Sequence, residues 1–329
     1  MTKTDTLSPV TALPIREQNP LFQLFRQGGT VVALILLIAF FTLMRPEVFL
    51  SFGNVRNIFE QIAILTIIAV GQTTVMVVGD FDLSVGTNAT LSGATAAALM
   101  IGGTPVPLAI IAGLCVGILV GMVNGFLVAF LKLSAFVATL ATMTTVGGLA
   151  FLVTSGTTLY GMPEDFFIIG QGRPLGIPLP IFFAVAVGLI LWLVLRFTTL
   201  GRRWYAVGGN AEVARLSGVN VQWTRFLAFV IAGLASAIGG IILVSRLGSA
   251  SSASANNYMM LAVAAVFLGM TILKSGQANV GGTLVGVGII GVMSNGLNII
   301  GVNTYIQQVL TGLIIIAAVT LSALKARDT

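Results

Sequence analysis

The residues with the clearest potential for chemistry are two carboxylates in a short gap between apolar segments. Asp80 and Asp82 lie in the stretch Gly79 to Gly86, and only four residues separate the apolar runs on either side. Membrane carboxylates often relay protons, but no basic residue or histidine accompanies these two in the sequence, which argues against a relay. We favour a structural role, in which Asp82 or Ser84 caps the helix that follows. Direct contact with a substrate is the alternative.

The short gap also predicts how the chain connects the two apolar runs. Four residues are too few for an ordinary connection between two complete membrane crossings, so the gap predicts a broken or re-entrant helix. Ser84, Asn88 and Thr90 can satisfy the backbone groups that such a break leaves free.

A second set of polar side chains lies inside the apolar runs. These candidates for lining a pathway are Gln72, Thr73, Asn88, Asn124, Thr142, Asn295 and Asn298. Polar groups at membrane depth must face protein or water. Amides both donate and accept hydrogen bonds, which suits a neutral, hydroxyl-rich solute. They can equally bridge neighbouring helices, and both alternatives stay open.

Several kinds of chemistry are excluded by residue content. The chain has no histidine, and its single Cys115 permits neither an intrachain disulfide nor a cysteine metal cluster. No GxxxxGK[ST] phosphate loop occurs. Gly286 to Gly291 matches GxGxxG, but it lies within an apolar run without a strand–turn–helix context. We therefore expect no catalytic residue, metal or cofactor on this chain.

The glycines at four-residue spacing have a simpler interpretation. Gly117, Gly121 and Gly125, like Gly282 and Gly286, fall on one face of a helix. Small residues at this spacing allow two helices to approach closely in lipid, so the pattern predicts helix packing.

The elements that must position these residues are membrane helices. The chain has 329 residues, 57% hydrophobic and only 8% charged, with a mean hydropathy of +1.04. Soluble domains have about 25% charged residues, so the composition indicates an all-α, polytopic membrane protein in the lipid bilayer. The net charge of +6 is scattered at the ends of apolar runs and predicts no nucleic-acid binding.

Apolar runs of suitable length predict about ten transmembrane helices. They cover residues 30–44, 58–79, 84–101, 106–131, 135–155, 181–196, 224–246, 258–273, 280–300 and 305–324. The first run is predicted to be a retained signal anchor. It follows a disordered tail at 1–29, and a short tail at 325–329 follows the transmembrane region 30–324.

The distribution of Lys and Arg predicts the orientation. With the amino terminus in the cytosol, twelve of the sixteen cations lie inside, and only Arg45, Arg56, Arg173 and Arg246 lie outside. Both termini are then cytosolic, which predicts a bacterial inner-membrane protein. The polar segment 155–180 falls on the periplasmic face, where Glu164, Asp165 and Arg173 are candidates for docking a partner.

The longest water-compatible segment, 197–222, falls on the cytosolic side. Asn210 is a good N-cap, Ala211 to Ser217 can form a short helix with Glu212 and Arg215 paired, and Gly218 supplies a stop. Such a helix is too short to be stable alone, so its apolar residues must be held. These residues are Val213, Ala214, Leu216 and Val219. They pack either on this protein or on a separate cytosolic partner.

A weak internal repeat links two of the runs. Gly117 to Gly125 resembles Gly288 to Gly296, and the two segments lie five runs apart, so they cross the membrane in opposite directions. Inverted repeats of this kind build many transport pathways, and coincidence in glycine-rich sequence is the alternative.

Four motifs together resemble the ribose-type permease family of bacterial ABC importers. They are Gly79 to Gly86, Leu200 to Asn210, Ala214 to Asn220, and Asn295 to Asn298. The resemblance covers nearly the whole chain after residue 30. Asn257 to Met260 lacks a carboxylate that the family commonly has there, which leaves the identity of the sugar open.

The resemblance implies a membrane subunit that carries a small neutral sugar or polyol by alternating access. Its first implied partner is a second permease subunit, and a homodimer is favoured over a heterodimer. The others are a cytosolic ATPase with two nucleotide-binding domains, which holds ATP and Mg²⁺, and a periplasmic or surface-tethered sugar-binding protein. Residues 211–217 become the coupling helix on the ATPase. The alternatives are a proton-coupled secondary transporter and a passive facilitator.

Overall fold

The computed structural model describes residues 20–270, 276–303, 305–313, 316 and 320, with side chains from residue 30 onward. The predicted all-α class is confirmed over these ranges, where the one strand-like feature is an isolated bridge between Leu159 and Ala250. The helices are α1 (Pro20–Met44), α2 (Pro46–Phe49), α3 (Phe52–Val77), α4 (Val85–Ile101), α5 (Val106–Ala129), α6 (Ala135–Thr154), α7 (Glu164–Gln171), α8 (Leu179–Phe197), α9 (Thr199–Gly209), α10 (Ala211–Leu216), α11 (Val221–Leu247), α12 (Asn256–Met270) and α13 (Val280–Ile299).

Six of the described helices, α3, α5, α6, α8, α11 and α13, are long and apolar enough to cross a membrane. The predicted count of about ten spans is therefore not confirmed. The shorter apolar helices are Thr30–Met44 and α12, and α4 has 17 residues. Of the predicted run at 305–324, residues 305–313, 316 and 320 are described; the rest of it lies outside the described residues, as do the tails at 1–19 and 325–329.

The first helix starts earlier than its apolar run. α1 begins at Pro20, although residues up to 29 were expected to form a disordered tail. Proline is well tolerated at the first helical position because its missing N–H would be unpaired there, so Pro20 can start the helix.

The centre of the bundle is α11, which packs on α3, α4 and α5. Glycines permit this packing, because a Cβ at Gly121 would lie 2.5 Å from the Phe229 carbonyl oxygen of α11. A Cβ at Gly286 would likewise lie 2.0 Å from the Ala265 carbonyl oxygen, where α13 meets α12. The prediction that four-residue glycine spacing serves helix packing is confirmed.

Ion pairs join α3 and α11 at both ends. Arg225, near the start of α11, pairs with Asp80 just beyond α3, and Arg246, near the end of α11, pairs with Glu60 at 3.1 Å. The two helices are therefore antiparallel. At about 1.5 Å per residue, the two arginines are roughly 31 Å apart, close to the thickness of the hydrocarbon core of a bilayer. We call the two sides of the bundle the Asp80 end and the Glu60 end.

The two segments of the weak repeat run in opposite directions, as predicted. Asn124, near the end of α5, contacts Ser84 towards the Asp80 end. Asn295, near the end of α13, contacts Asn54 at the start of α3, which belongs to the Glu60 end. An inverted relationship between complete halves stays a prediction.

Candidate functional site

The connection between α3 and α4 turns back into the bundle. The Gln72 side-chain amide lies 3.2 Å from the backbone nitrogen and 3.3 Å from the backbone oxygen of Asp82, and a suitable orientation lets it accept from one and donate to the other. Gln72 lies five residues before the end of α3, so the chain has returned by about 7 Å when it reaches Asp82. α4 therefore starts inside the bundle, which explains its short length.

Asp82 is buried and held by three donors. Its carboxylate accepts from the backbone N–H of Ser84 at 2.8 Å, from the Ser84 hydroxyl at 2.7 Å and from the Asn124 amide at 3.3 Å. The Ser84 hydroxyl donates to Asp82 and makes no cap bond to α4. The prediction that Ser84 caps α4 by its side chain is wrong, because its hydroxyl is used by the neighbouring carboxylate.

Asp80 has a basic partner that the sequence did not reveal. The Arg225 guanidinium donates to both carboxylate oxygens of Asp80, with the Nε to Oδ2 distance at 2.7 Å. The expectation that no cation accompanies these carboxylates is therefore wrong for Asp80. The two residues lie 145 positions apart in the chain, so no local pattern could predict the pair.

Two helices begin next to each other in the interior of the bundle. A Cβ at Gly86, in the first turn of α4, would lie 2.8 Å from the carbonyl oxygen of Asn256, the first residue of α12. The Thr90 hydroxyl accepts from the Ala255 N–H at 3.0 Å and donates to the Asn256 side chain at 3.1 Å. α4 then runs to the Glu60 end and α12 to the Asp80 end, where the rings of Phe81 and Phe267 stack. Each helix crosses only part of the bundle.

Most of the intramembrane amides and hydroxyls have protein partners. The hydroxyls of Thr73 and Thr283 lie 2.8 Å apart between α3 and α13, and the Asn88 amide donates to the Gly117 carbonyl of α5 at 3.2 Å. Asn54 and Asn295 exchange two hydrogen bonds of 3.0 Å. These contacts support the helix-bridging alternative. Asn298 is exposed, and Thr142 is buried in α6.

The segment predicted as the start of a cytosolic loop is helical. α9 runs from Thr199 to Gly209, and the hydroxyl of its N-cap, Thr198, accepts from the Gly201 N–H. Trp204 is fully buried and its indole donates to the Thr224 carbonyl of α11 at 2.8 Å. A Cβ at Gly208 would lie only 1.8 Å from the Val77 carbonyl oxygen, so α9 is in backbone contact with the end of α3.

The short helix α10 follows α9 directly and has a cap at each end. The Asn210 side chain accepts from the N–H groups of Glu212 and Val213, both at 3.0 Å. Gly218 has a φ of +84°, and the Val219 N–H donates to the Ala214 carbonyl at 3.0 Å, which forms a Schellman C-cap. The exposed pair of Glu212 and Arg215 lowers the pKa of the Glu212 carboxyl through the hydrogen bond between them.

The apolar residues of α10 divide into two sets. Ala214 is buried and Val219 is partly buried against the core, so these two hold α10 to the protein. Val213 and Leu216 are 57% and 73% exposed. A cleft of about 1200 Å³ lies on another side of α10, where Glu212 and Arg215 line it together with Lys132 of the α5–α6 turn and the Asp80–Arg225 pair.

The Glu60 end has its own small helix, α7. The Gly170 N–H donates to the Ser245 hydroxyl at 2.8 Å, and that hydroxyl donates to the Phe166 carbonyl at 2.6 Å, so α7 is fixed to the end of α11. The docking candidates Glu164 and Asp165 are exposed in its first turn. Arg173 lies 3.9 Å from Glu60.

The cations separate between the two ends as the sequence predicted. Arg225, Arg215 and Lys132 surround the cleft at the Asp80 end, whereas Arg173 and Arg246 meet at Glu60. Which end faces the cytosol stays a prediction.

Known proteins share this sequence over most of its length. Residues 54–319 match the family model described as the branched-chain amino acid transport system permease component. The ribose import permease protein of Bacillus subtilis (strain 168) is 41% identical over 300 residues, covering 91% of this chain and 93% of that protein. The ribose import permease protein of Escherichia coli K12 is 38% identical, covering 88% and 91%. The D-allose transport system permease protein of Escherichia coli K12 is 36% identical, covering 91% and 92%.

These relatives establish the class of the protein. The chain belongs to this family of multi-pass transport permeases, whose members are transport subunits and not enzymes. Within the family, its resemblance to the ribose-type permeases of sugar ABC importers is confirmed.

Proposed function

We propose that the chain carries a small neutral sugar, a ribose-like monosaccharide or polyol, across the bacterial inner membrane and that its motion is driven by ATP hydrolysis on a separate subunit. Its relatives include permeases for ribose, D-allose and L-arabinose, all of them small uncharged sugars. The chain itself supplies the pathway and binds neither ATP nor Mg²⁺.

The observation that carries this proposal is the exposed apolar pair on α10. Val213 and Leu216 extend into solvent from a helix that is capped at both ends. The caps hold the two apolar side chains in a fixed position, which is the property of a surface that a partner can cover. We assign the cytosolic ATPase, with its two nucleotide-binding domains, to this surface.

The route of the coupling follows the backbone contacts. α10 is joined to α9 by the single residue Asn210, and α9 touches the end of α3 at Gly208. The end of α3 leads into the 78–84 segment, whose Asp80 and Asp82 are fixed by Arg225 and Asn124. A displacement of α10 by the ATPase is thereby transmitted to the re-entrant segment, which is the alternating-access step of the proposal.

Two further partners complete the assembly. A second permease copy, identical in sequence, would pair with this one to enclose the pathway between them. A periplasmic or surface-tethered sugar-binding protein would dock at the Glu60 end, where the carboxylates of Glu164 and Asp165 are exposed.

The test is reconstitution in proteoliposomes with the ATPase and the binding protein. We expect two variants to abolish sugar-stimulated ATPase activity and uptake. Glu212→Arg turns the attraction between residue 212 and Arg215 into repulsion, and Gly218→Val places a branched side chain on a backbone with a φ of +84°. Membrane insertion should be unchanged. The control is Gly53→Ala at the Glu60 end, where a Cβ meets no atom within 4 Å.

Normal uptake by both variants would contradict the role of α10. Sugar accumulation by the purified chain alone, abolished by Asp82→Asn and by collapse of the proton gradient, would support the secondary transporter instead. Passive equilibration by the chain alone would support the facilitator.

A further inference from the structure

A groove runs along the outside of the bundle between α3, α8 and α13. Its volume is about 520 Å³, and its lining is almost entirely apolar, with Phe59, Val185 and Leu284 at the rim. All three rim residues are exposed. Gly188 is at its floor, where a Cβ would meet no atom within 4 Å. The volume and the apolar lining of the groove suit a hydrocarbon chain.

The groove continues into a polar cleft at the Asp80 end. This cleft has a volume of about 510 Å³ and shares Trp192, Val280 and Gly281 with the groove. Arg196, from the last turn of α8, and Arg202, from the first turns of α9, line its polar part. One elongated site therefore has an apolar half and a cationic half.

The two arginines have no acidic partner within the described residues. The salt bridges of those ranges involve Arg173, Arg215, Arg225 and Arg246, and the Arg202 guanidinium makes only a 3.4 Å contact with the Phe197 carbonyl oxygen. Two exposed guanidinium groups beside one cleft attract an anion, and their planar donors suit the oxygens of a phosphate.

The depth of the site matches the edge of a bilayer. Trp192 lies at the junction of groove and cleft, and Arg196 follows one turn later, near the end of a 19-residue apolar helix. Tryptophan is enriched at the membrane–water boundary, and basic residues just beyond it attract anionic lipids.

We propose that this site binds an anionic phospholipid, with one acyl chain in the groove over Gly188 and the headgroup phosphate between Arg196 and Arg202. A soluble phosphate would leave the apolar half empty, and an uncharged lipid would leave the cationic half without a partner. The assignment is independent of the sugar and of the ATPase.

The experiment uses the full-length chain in a neutral detergent, carrying Trp223→Phe to remove the other exposed tryptophan. Phosphatidylglycerol with brominated acyl chains is titrated, and quenching of Trp192 fluorescence reports occupancy of the groove. We expect saturable quenching, and weaker binding of brominated phosphatidylcholine. An arginine near a membrane surface contributes roughly fivefold to the affinity for anionic lipid, so Arg196→Gln with Arg202→Gln should weaken phosphatidylglycerol binding about twenty-five-fold.

Two further variants test the cationic half and the apolar half of the site separately. Arg203→Gln removes a neighbouring exposed cation that does not line the cleft and should leave binding unchanged. Gly188→Leu should fill the groove without disturbing the fold and remove quenching by both lipids. Equal affinity for the two lipids, unchanged binding in the double arginine variant, or no quenching of the parent protein would each overturn the proposal.

Discussion

The Arg225 guanidinium donates to both carboxylate oxygens of Asp80, and this ion pair fixes the re-entrant segment to the first turns of α11. Asp80 is mostly buried, and the Arg225 side chain is 30% exposed. If either partner is removed, the charge of the other is left unpaired and only partly solvated. The pair lines the same cleft as Glu212 and Arg215, so α10 and the re-entrant segment face each other across it.

We expect Asp80→Asn to reduce the free energy of unfolding by about 2 kcal/mol, because it leaves the Arg225 charge without its partner. The measurement is thermal unfolding of the purified protein in detergent. The exchanged pair, Asp80→Arg with Arg225→Asp, should recover part of the loss. An unchanged melting temperature in Asp80→Asn would show that the pair contributes nothing to stability.

Leu216→Asp and Val213→Asp should lower sugar-stimulated ATPase activity about tenfold, because a carboxylate replaces an apolar contact in the proposed interface with the ATPase. Both side chains are exposed, so the melting temperature of the isolated chain should not change. Measuring the two quantities together separates docking from packing on this protein. A fall in melting temperature with unchanged sugar-stimulated ATPase activity would favour packing.

Gly208→Ala should destabilise the protein by roughly 1–3 kcal/mol, because its Cβ would overlap the Val77 carbonyl oxygen. Gly209→Ala is the matched control, since a Cβ there meets no atom within 4 Å. Denaturation in detergent compares the two. Equal stability of both variants would mean that α9 does not depend on its contact with α3.

Asn295→Ala should cost about 2 kcal/mol, because it leaves the buried Asn54 amide without its reciprocal hydrogen bonds. Asn298→Ala, three residues further along the chain, removes an exposed amide and should change stability by less than about 0.5 kcal/mol. If Asn295 instead contacts the solute, its variant would keep its stability and raise the KM for uptake.

The sequence predicts those parts of the fold that depend on local patterns. The ends of α10 follow from Asn210 and Gly218, because caps need particular side chains and backbone angles within a few residues. The close contacts of α5 with α11 follow from the spacing of Gly117 and Gly121, because that spacing defines one helix face.

Features that join distant parts of the chain could not be predicted in this way. Neither the partner of Asp80 nor that of Glu60 follows from spacing, because each pairs with an arginine of α11 across more than 140 positions. The sequence of α9 does not predict a helix, because Gly208 and Gly209 disfavour one. Gly208 is needed there for the approach to α3, a tertiary requirement that overrides helix propensity.

The ion pairs at both ends of α3 and α11 restrict how this bundle can change shape. Sliding one helix past the other by a single turn, about 5.4 Å, would break both pairs at once. Tilting the two helices together breaks neither. Helices α3 and α11 therefore form one unit of fixed register, and a change of shape that keeps both ion pairs has to tilt this unit against the rest of the bundle.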